Sequence, residues 1–150
     1  MSVVEITCER NFHASHVLPK HKGKCSRLHG HDWVLFVSVE GDVDPETGFV
    51  MDYGDLKKIV DEAIIDHLDH QHLGPWPLSS LEAEGEGQDV IYYVPEILGD
   101  GFYPSSENLV LRFVDILRPL LGTEIGAKYK HYLSRVSLKE TCTSEARWEV

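Results

Sequence analysis

The sequence predicts an α+β domain built on an antiparallel sheet. Strand-like alternation occupies both ends of the 150-residue chain, and two helical repeats of apolar residues lie between them, in the order β-β-α-α-β-β. Hydrophobic residues make up 42% of the chain and charged residues 26%, which is typical of a globular protein rather than a disordered chain or a membrane protein. We therefore expect a single domain over residues 1–150.

Four strands are predicted from the alternation of apolar and polar residues. Two lie near the N-terminus and two near the C-terminus, and a turn rich in Asp, Pro and Gly follows the second strand. Every odd-numbered position of the second strand is apolar, which predicts one buried face. The predicted strands are Ser2–Val17, Trp33–Glu40, Arg135–Glu140 and Ala146–Val150, and the turn is Asp44–Gly48.

Two helices are predicted from apolar residues spaced three and four apart. The first follows Asp52, a candidate N-cap, and extends to about His70. The second follows the run Pro104–Glu107, whose acidic residue suits the first turn of a helix. Its predicted buried face consists of Leu109, Phe113, Ile116, Leu117 and Leu120. The intervening stretch, about 74–104, is irregular, and its apolar run Val90–Val94 predicts one short strand.

The net charge of −11 is unevenly distributed. Residues 20–27 hold four basic residues and no acid, although the chain as a whole is acidic. An acidic surface argues against nucleic-acid binding, because a phosphate backbone is bound through extended positive charge. A compact basic cluster can instead bind a small anion such as a phosphate ester, and the alternative is a solvated loop. The basic residues are Lys20, Lys22, Lys24 and Arg27.

The cellular location is predicted from what the sequence lacks. No apolar run approaches the roughly 20 residues of a membrane span, and residues 1–12 lack the apolar core of a signal peptide. The three cysteines are few and odd in number, which argues against a disulfide framework. We expect a cytoplasmic protein without membrane contact.

Three histidines have the spacing of a catalytic metal site. His29 and His31 are two residues apart at the start of a strand, so their side chains point to the same side. An antiparallel hairpin would bring His16, at the end of the first strand, beside them. Three imidazoles with an open fourth position form a catalytic zinc site. Each histidine alone is more typical of a surface or hydrogen-bonded core position.

Cys25 lies in the basic loop, four residues before His29. Neighbouring positive charge lowers the pKa of a thiol, which suits a base or nucleophile near a metal. Two alternatives remain open: a small buried hydrophobic residue, or a fourth ligand of a structural zinc site. With Cys25 as fourth ligand, no coordination position would be left for a substrate.

Two further candidates are acid–base groups at the ends of predicted elements. Asp69 and His70 end the first helix and could transfer protons near neutral pH, although adjacent helical positions diverge by about 100° and would not bond each other. Glu140, near a strand end, could accept two hydrogen bonds from a planar guanidine-like edge. The alternatives are a polar helix end and an exposed strand carboxylate.

Together these motifs resemble the 6-pyruvoyl tetrahydropterin synthase family over nearly the whole chain. The three-residue gap between Cys25 and His29 is similar to the 6-carboxytetrahydropterin synthase branch of queuosine biosynthesis, whereas the pyruvoyl branch typically has five residues there. The motifs are Phe12-x-Ala14-x-His16, Cys25-x-x-x-His29-x-His31, Leu68-Asp69-His70, Pro104-Ser105-Ser106-Glu107-Asn108 and Lys139-Glu140-Thr141-Cys142-Thr143.

The resemblance implies a fold, an assembly and a reaction. The fold is the tunnelling fold (T-fold), with a four-stranded antiparallel sheet and two helices on one face. Subunits would form trimers that stack into hexamers, with active sites between subunits. The implied substrate is 7,8-dihydroneopterin triphosphate, and the implied products are 6-carboxy-5,6,7,8-tetrahydropterin, acetaldehyde and triphosphate.

The resemblance also implies residue roles. One Zn²⁺ per subunit would bind His16, His29 and His31, Cys25 would act as the base, and Asp69 with His70 would relay protons. Glu140, helped by Thr141, would anchor the pterin. Triphosphate contacts from the basic loop are our own addition: Lys20, Lys22, Lys24 and Arg27.

Two other functions remain open. One is the pyruvoyl branch, which acts on the same substrate without releasing acetaldehyde, and the other is a non-catalytic zinc- or pterin-binding protein of the same fold. The stretch between Leu73 and Pro104 is longer than in compact family members, and it could form a lid or an oligomer contact.

Overall fold

The computed structural model of the chain describes residues 2–75, 94–122 and 131–150. It confirms the α+β class, with two long strands before the first helical segment and two strands after the last. The sequence prediction misses a two-residue strand that follows the first helical segment. The strands are β1 (Val3–His16), β2 (His29–Asp42), β3 (Gln71–His72), β4 (His131–Thr141) and β5 (Ser144–Glu149).

The strands form one sheet in the order β3-β1-β2-β4-β5. Neighbours from β1 to β5 are antiparallel, whereas β3 runs parallel to β1 through the pairs Ala14 with Gln71 and Ser15 with His72. The predicted sheet of four antiparallel strands is therefore wrong in its count and in its purely antiparallel character. Two residues are too few to show an alternation pattern, and β3 forms only because the chain returns along the edge of β1.

The second strand begins four residues earlier than its apolar pattern predicts. β1 and β2 pair without a break from Val3 with Asp42 to His16 with His29. The polar start of β2 is therefore held in extended form by hydrogen bonds to β1 rather than by burial of apolar residues. This extension places His29 and His31 inside the sheet, beside the end of β1.

Two helical segments cover one face of the sheet. The first comprises α1 (Tyr53–Val60), a π-helical turn (Asp61–Ile65) and α2 (Asp66–Leu68), and the second is α3 (Ser106–Leu121). The Asp52 side chain accepts hydrogen bonds from the first-turn N–H groups of α1, as its predicted N-cap role requires. The Ser105 hydroxyl accepts one from Asn108 in the same way.

The first helical segment ends at Leu68, two residues before the predicted end. Asp69 is extended (φ −64°, ψ 129°), and His70 adopts a left-handed backbone conformation with φ 61°. The N–H of His70 donates to the carbonyl of His13 on β1 at 2.6 Å. This bond to the sheet replaces a further helical bond and holds His70 in a conformation that non-glycine residues rarely adopt.

The core lies between the helices and the sheet. Phe12 and Trp33 face each other across β1 and β2 with ring centroids 6.0 Å apart, and Phe113 packs edge-on against Phe12 at 6.4 Å. Each such side chain contributes about 1.5–3 kcal/mol on burial. Of the predicted α3 face, Leu120 is 45% exposed, because buried positions recur every four residues and reach Leu121 instead. The buried helical residues include Leu56, Val60, Ile64, Leu68, Leu109, Phe113, Leu117 and Leu121.

The irregular stretch at about 74–104 is described only at its two ends. The predicted short strand at Val90–Val94 lies outside the described residues, apart from Val94. Among the helices of the described ranges, none is both long enough and apolar enough to cross a membrane.

Candidate functional site

Three histidine side chains converge at one end of the sheet, on the face that the helices cover. The hairpin register pairs His16 with His29 and Ala14 with His31, so all three rings project to the side of Phe12 and Trp33. The ring centroids of the three histidines lie 4.5–5.1 Å from one another. The structure therefore brings together the three residues that the sequence predicts as metal ligands.

The hydrogen bonds of two of these histidines fix which nitrogen carries the proton. The Nδ1–H of His16 donates to the carbonyl of Pro104 at 2.8 Å, and the Nδ1–H of His29 donates to the carbonyl of Arg27 at 2.7 Å. In the neutral rings both Nε2 atoms then carry lone pairs, and these atoms lie only 2.9 Å apart. Two lone pairs at this separation repel each other unless a cation lies between them.

His31 and the burial of the cluster also indicate that a cation binds between the histidines. The Nε2 of His31 is buried and makes no hydrogen bond within the part of the chain that the structure describes. Burial lowers the pKa of His16 to about 4, and burial also lowers the pKa of His31. Both rings are therefore neutral at pH 7, which is the form that binds a metal ion. Trp33 lies beside both rings, with centroids 5.0 and 5.2 Å away.

A fourth donor joins the histidines, and it is Glu140. Its Oε1 lies 3.2 Å from the Nε2 of His16 and 3.4 Å from the Nε2 of His31. The four donor atoms, from His16, His29, His31 and Glu140, all lie within 4.8 Å of one another. Three imidazoles and a carboxylate suit a divalent transition metal, and each histidine whose bonds are given above donates its other N–H to a carbonyl, as metal ligands do.

Cys25 lies apart from this donor cluster, in a single 3-10 turn at Lys24–Ser26. It is partly buried, and its carbonyl accepts the N–H of Leu18 at 2.9 Å. Within residues 2–75, 94–122 and 131–150, no hydrogen bond or ion pair joins the Cys25 thiol to another group. The alternative of Cys25 as a structural metal ligand is thus not favoured, because Glu140 holds the place that the thiol would take.

Asp69 and His70 contact each other, contrary to the expectation for adjacent helical positions. The Nδ1 of His70 lies 3.0 Å from the Oδ2 of Asp69, and the Oδ1 of Asp69 accepts the N–H of His13 at 2.9 Å. The contact is possible because the helix has already ended and the backbone turns at His70. The hydrogen bond from His13 lowers the pKa of Asp69, with a smaller contribution from His70 in the same direction.

A cleft of about 440 Å³ adjoins the Asp69–His70 pair, with His70 and His31 both in its lining. His13 and Asp32 also line this cleft, and the Nδ1 of His13 lies 3.7 Å from the Oδ1 of Asp32. Sequence reasoning missed these two residues. Their strand alternation places them on the sheet face opposite the helices, and the signal that could have found them is the pairing of His13 with Asp32 across the hairpin.

A second cleft, of about 450 Å³, borders the end of β4. Its lining includes Val34, Phe36, Glu140 and Thr141, and the ammonium of Lys139 lies 5.8 Å from the centre of the Phe36 ring. Thr141 ends β4, and its hydroxyl lies 3.3 Å from that of Thr143. Glu140 therefore belongs both to this cleft and to the histidine cluster.

The basic loop is exposed, and Lys20 joins it to the segment that precedes α3. The backbone N–H of Lys20 donates to the hydroxyl of Tyr103 at 3.2 Å, and the Lys20 ammonium lies 5.6 Å from the centre of the Tyr103 ring. Lys22, Lys24 and Arg27 are exposed, and within the described residues none of them forms an ion pair. The loop thus presents uncompensated positive charge beside the segment that carries Pro104.

The fold and the motifs agree with comparisons to known proteins. Residues 5–149 match the family model for 6-pyruvoyl tetrahydropterin synthase. The chain belongs to this family. A Synechocystis protein named 6-carboxy-5,6,7,8-tetrahydropterin synthase is 46% identical over 144 residues, which is 93% of this chain and 88% of that protein. The human 6-pyruvoyl tetrahydrobiopterin synthase is 33% identical over 112 residues, which is 73% of this chain and 64% of that protein.

A solved structure supports the fold assignment. The 6-pyruvoyl tetrahydropterin synthase of Caenorhabditis elegans matches with a TM-score of 0.74 and 23% identity, covering 100% of this chain and 97% of that chain. At this identity the likeness establishes the fold alone. The resemblance predicted from the sequence motifs is confirmed, and so is the T-fold.

Proposed function

We propose that the chain is a zinc-dependent 6-carboxy-5,6,7,8-tetrahydropterin synthase of queuosine biosynthesis. It converts 7,8-dihydroneopterin triphosphate to 6-carboxy-5,6,7,8-tetrahydropterin, acetaldehyde and triphosphate. The three-residue gap between Cys25 and His29 and the 46% identity to the Synechocystis protein of that name support the carboxy branch.

The observation that carries the proposal is the convergence of the imidazole rings of His16, His29 and His31. Three imidazoles with room for a fourth ligand are the donor set of catalytic zinc, which fits the burial and the hydrogen bonds of this cluster. Zinc, when bound there, would lower the pKa of substrate hydroxyls and stabilise negative charge on oxygen.

The proton transfers are assigned to Cys25, Asp69 and His70. Cys25, in the basic loop, takes a proton from the side-chain carbon of the substrate. The Asp69–His70 pair relays protons, since the carboxylate holds the imidazole by its Nδ1 and leaves the Nε2 for transfer. The groups belong to different subunits of a homo-oligomer, a trimer or hexamer, in which the Cys25 loop of one copy meets the pair of another.

Substrate binding is assigned to the cleft at the end of β4 and to the basic loop. The Glu140 carboxylate accepts hydrogen bonds from the 2-amino group and the ring N–H of the pterin, helped by Thr141, where both residues border the cleft at the end of β4. The triphosphate is bound by the cationic side chains of the loop, which are Lys20, Lys22, Lys24 and Arg27. The reaction takes place in the cytoplasm.

The experiment that tests this function is product analysis. The zinc-loaded protein is incubated with 7,8-dihydroneopterin triphosphate, and the products are identified by mass spectrometry beside an assay for acetaldehyde. We expect carboxytetrahydropterin and acetaldehyde in equal amounts, formed at least about a hundredfold more slowly by Cys25→Ala loaded with the same metal. A Ser26→Ala variant, altered in the same turn, is the matched control and is expected to keep turnover.

The same assay distinguishes the alternatives. The similarity to the human pyruvoyl enzyme favours a second candidate, the pyruvoyl branch, which would give pyruvoyltetrahydropterin without acetaldehyde. A non-catalytic zinc- or pterin-binding protein would bind the substrate and return it unchanged. Either result would contradict the proposed reaction.

A further inference from the structure

Glu140 faces two partners that it cannot serve at the same time. Its Oε1 lies against the Nε2 atoms of His16 and His31, and the residue also borders the cleft that Val34 and Phe36 line on the other face of the sheet. Pairing with the planar N–H edge of a pterin needs both carboxylate oxygens, side by side. An oxygen that contacts the histidine nitrogens is not available for that pairing.

Three of the six separations among the four donor atoms are close to those between ligands of one tetrahedral metal ion. Two ligands each about 2.05 Å from a tetrahedral zinc are about 3.3 Å apart. The observed separations are 2.9 Å between the Nε2 atoms of His16 and His29, and 3.2 and 3.4 Å from Glu140 to His16 and His31. The carboxylate oxygen therefore lies at a ligand-to-ligand distance from two of the three histidines.

The strand register explains how Glu140 comes to contact the histidines. Lys139 pairs with Val34 and Leu138 with Leu35, so Glu140 follows on the face of the sheet that carries Trp33 and the histidines. The β4 ladder becomes irregular between Lys139 and Thr141, where a register shift interrupts its pairing with β5. Glu140 is thus at the point where the strand leaves regular pairing, with only 23% of its side chain exposed.

We infer that Glu140 is the fourth ligand of the metal in the absence of substrate and leaves it to bind the pterin ring. The inference rests on the proposed function, since it takes a pterin as the displacing ligand. In the resting protein the carboxylate satisfies the fourth position, so a hydroxyl ligand gains access only when a pterin ring has drawn Glu140 away. One side chain would then couple recognition of the ring to opening of the metal site.

The test uses the full-length protein loaded with cobalt(II), whose visible spectrum reports the ligands of a four-coordinate site. Glu140→Gln keeps the size of the side chain and removes its charge. We expect it to weaken metal affinity by about 10- to 100-fold in a chelator competition and to change the cobalt spectrum. Glu9→Gln is the matched control, because Glu9 lines the same cleft without touching the histidines, and both readings should equal those of the wild type.

The second arm adds unsubstituted pterin, which offers the ring without hydroxyls or phosphates. In the wild-type protein, pterin should convert the cobalt spectrum to that of Glu140→Gln, while the variant spectrum stays unchanged. Glu140→Ala repeats the measurement without an amide that could bind the metal. This arm needs no variant to be informative, because the wild-type titration alone reports whether the metal ligands change.

Two results would overturn the inference. If Glu140→Gln and Glu140→Ala match the wild type in affinity and spectrum, Glu140 is not a metal ligand. If pterin binds the wild-type protein without changing the spectrum, the carboxylate does not exchange. Neither reading depends on turnover, so failure of the product assay with the expected cobalt results would refute the reaction and leave the role of Glu140 intact.

Discussion

The histidine cluster differs from the residues proposed for proton relay in how many of its contacts a single chain provides. His16 is fully buried. Its Nδ1 is hydrogen-bonded to the carbonyl of Pro104, and its Nε2 faces the other candidate metal ligands. His70, by contrast, has a side chain 77% exposed and contacts Asp69 at the rim of an open cleft, and Cys25 has no bonded partner among the described residues. The candidate metal ligands therefore converge within one chain, whereas the residues proposed for the relay lie open at the cleft and do not contact one another as a complete set.

The first prediction, which has the largest expected effect, concerns the histidine cluster. His31→Ala should abolish stoichiometric metal binding and lower kcat/KM by at least about a thousandfold, because a lost Lewis acid removes several kcal/mol of transition-state stabilisation. Metal content measured by mass spectrometry, beside turnover, checks this. His67→Ala, an exposed histidine on α2, should bind one metal per chain as the wild type does. Metal retained at full occupancy in His31→Ala would contradict the assigned cluster.

The second prediction concerns Cys25 and His70, the residues proposed for proton transfer. Cys25→Ala and His70→Ala should each keep the metal and lower kcat by about 10²- to 10⁴-fold, the range of general acid–base catalysis. If the two groups act across subunits, refolding the inactive variants together should restore turnover, since about a quarter of the sites would combine intact groups from two chains. Restoration of activity would be measured against each variant refolded alone.

If this complementation fails, the residues proposed for proton transfer do not combine across subunits. If the mixture stays inactive while native mass spectrometry shows mixed oligomers, then Cys25 and His70 act within one chain. The open arrangement around Cys25 would then have to close by movement of the basic loop rather than by contact with another copy.

The two regions also differ in how far sequence could predict them. The histidine cluster depends on local rules: alternation aligns His29 with His31, and a hairpin returns β1 to β2 at His16. Glu140 lies some hundred residues further along the chain, and its approach depends on the β2–β4 register, which no local pattern in the sequence specifies. Its carboxylate could be predicted as a candidate site residue, but not as a neighbour of the histidines.

Asp69 and His70 show a second limit of prediction from the sequence, which concerns where a helix ends. A helical pattern continues through Asp69 and His70, so periodicity extends the helix and keeps the two side chains apart. The observed end at Leu68 depends on the hydrogen bond from His70 to His13, a tertiary contact with β1. The left-handed φ of His70 could not be predicted from local sequence either, because it accompanies a hydrogen bond to the neighbouring strand.

The third prediction concerns the pH dependence of the buried cluster. The pKa of His16 is about 4 in the folded chain and about 6.5 in an unfolded one, so between these values the unfolded chain binds more protons. The free energy of unfolding of the metal-free protein should therefore fall as the pH is lowered from 6.5 to 4, by up to about 3 kcal/mol. Asp69, with a lowered pKa, loses its contribution only below this window.

Urea unfolding of the chelator-treated protein at several pH values measures this effect. His16→Gln removes the titrating group, so its stability should vary less over the same interval. A wild-type stability that is flat or rises on acidification would mean that the ring of His16 accepts a proton in the folded protein. The desolvation that distinguishes the buried cluster from the exposed relay would then be absent.

The smallest expected effect belongs to the basic loop, which shares the exposed character of the relay. Lys22→Ala and Lys24→Ala should each raise KM by about threefold to tenfold with little change in kcat, because an exposed cation contributes modestly to binding a phosphate. The rise should shrink at high salt, where screening already weakens the wild-type contact. Lys58→Ala, on α1, is the matched control and should leave KM unchanged. If the loop variants behave like Lys58→Ala at every salt concentration, the loop is a solvated surface, and the triphosphate is bound elsewhere in the assembly.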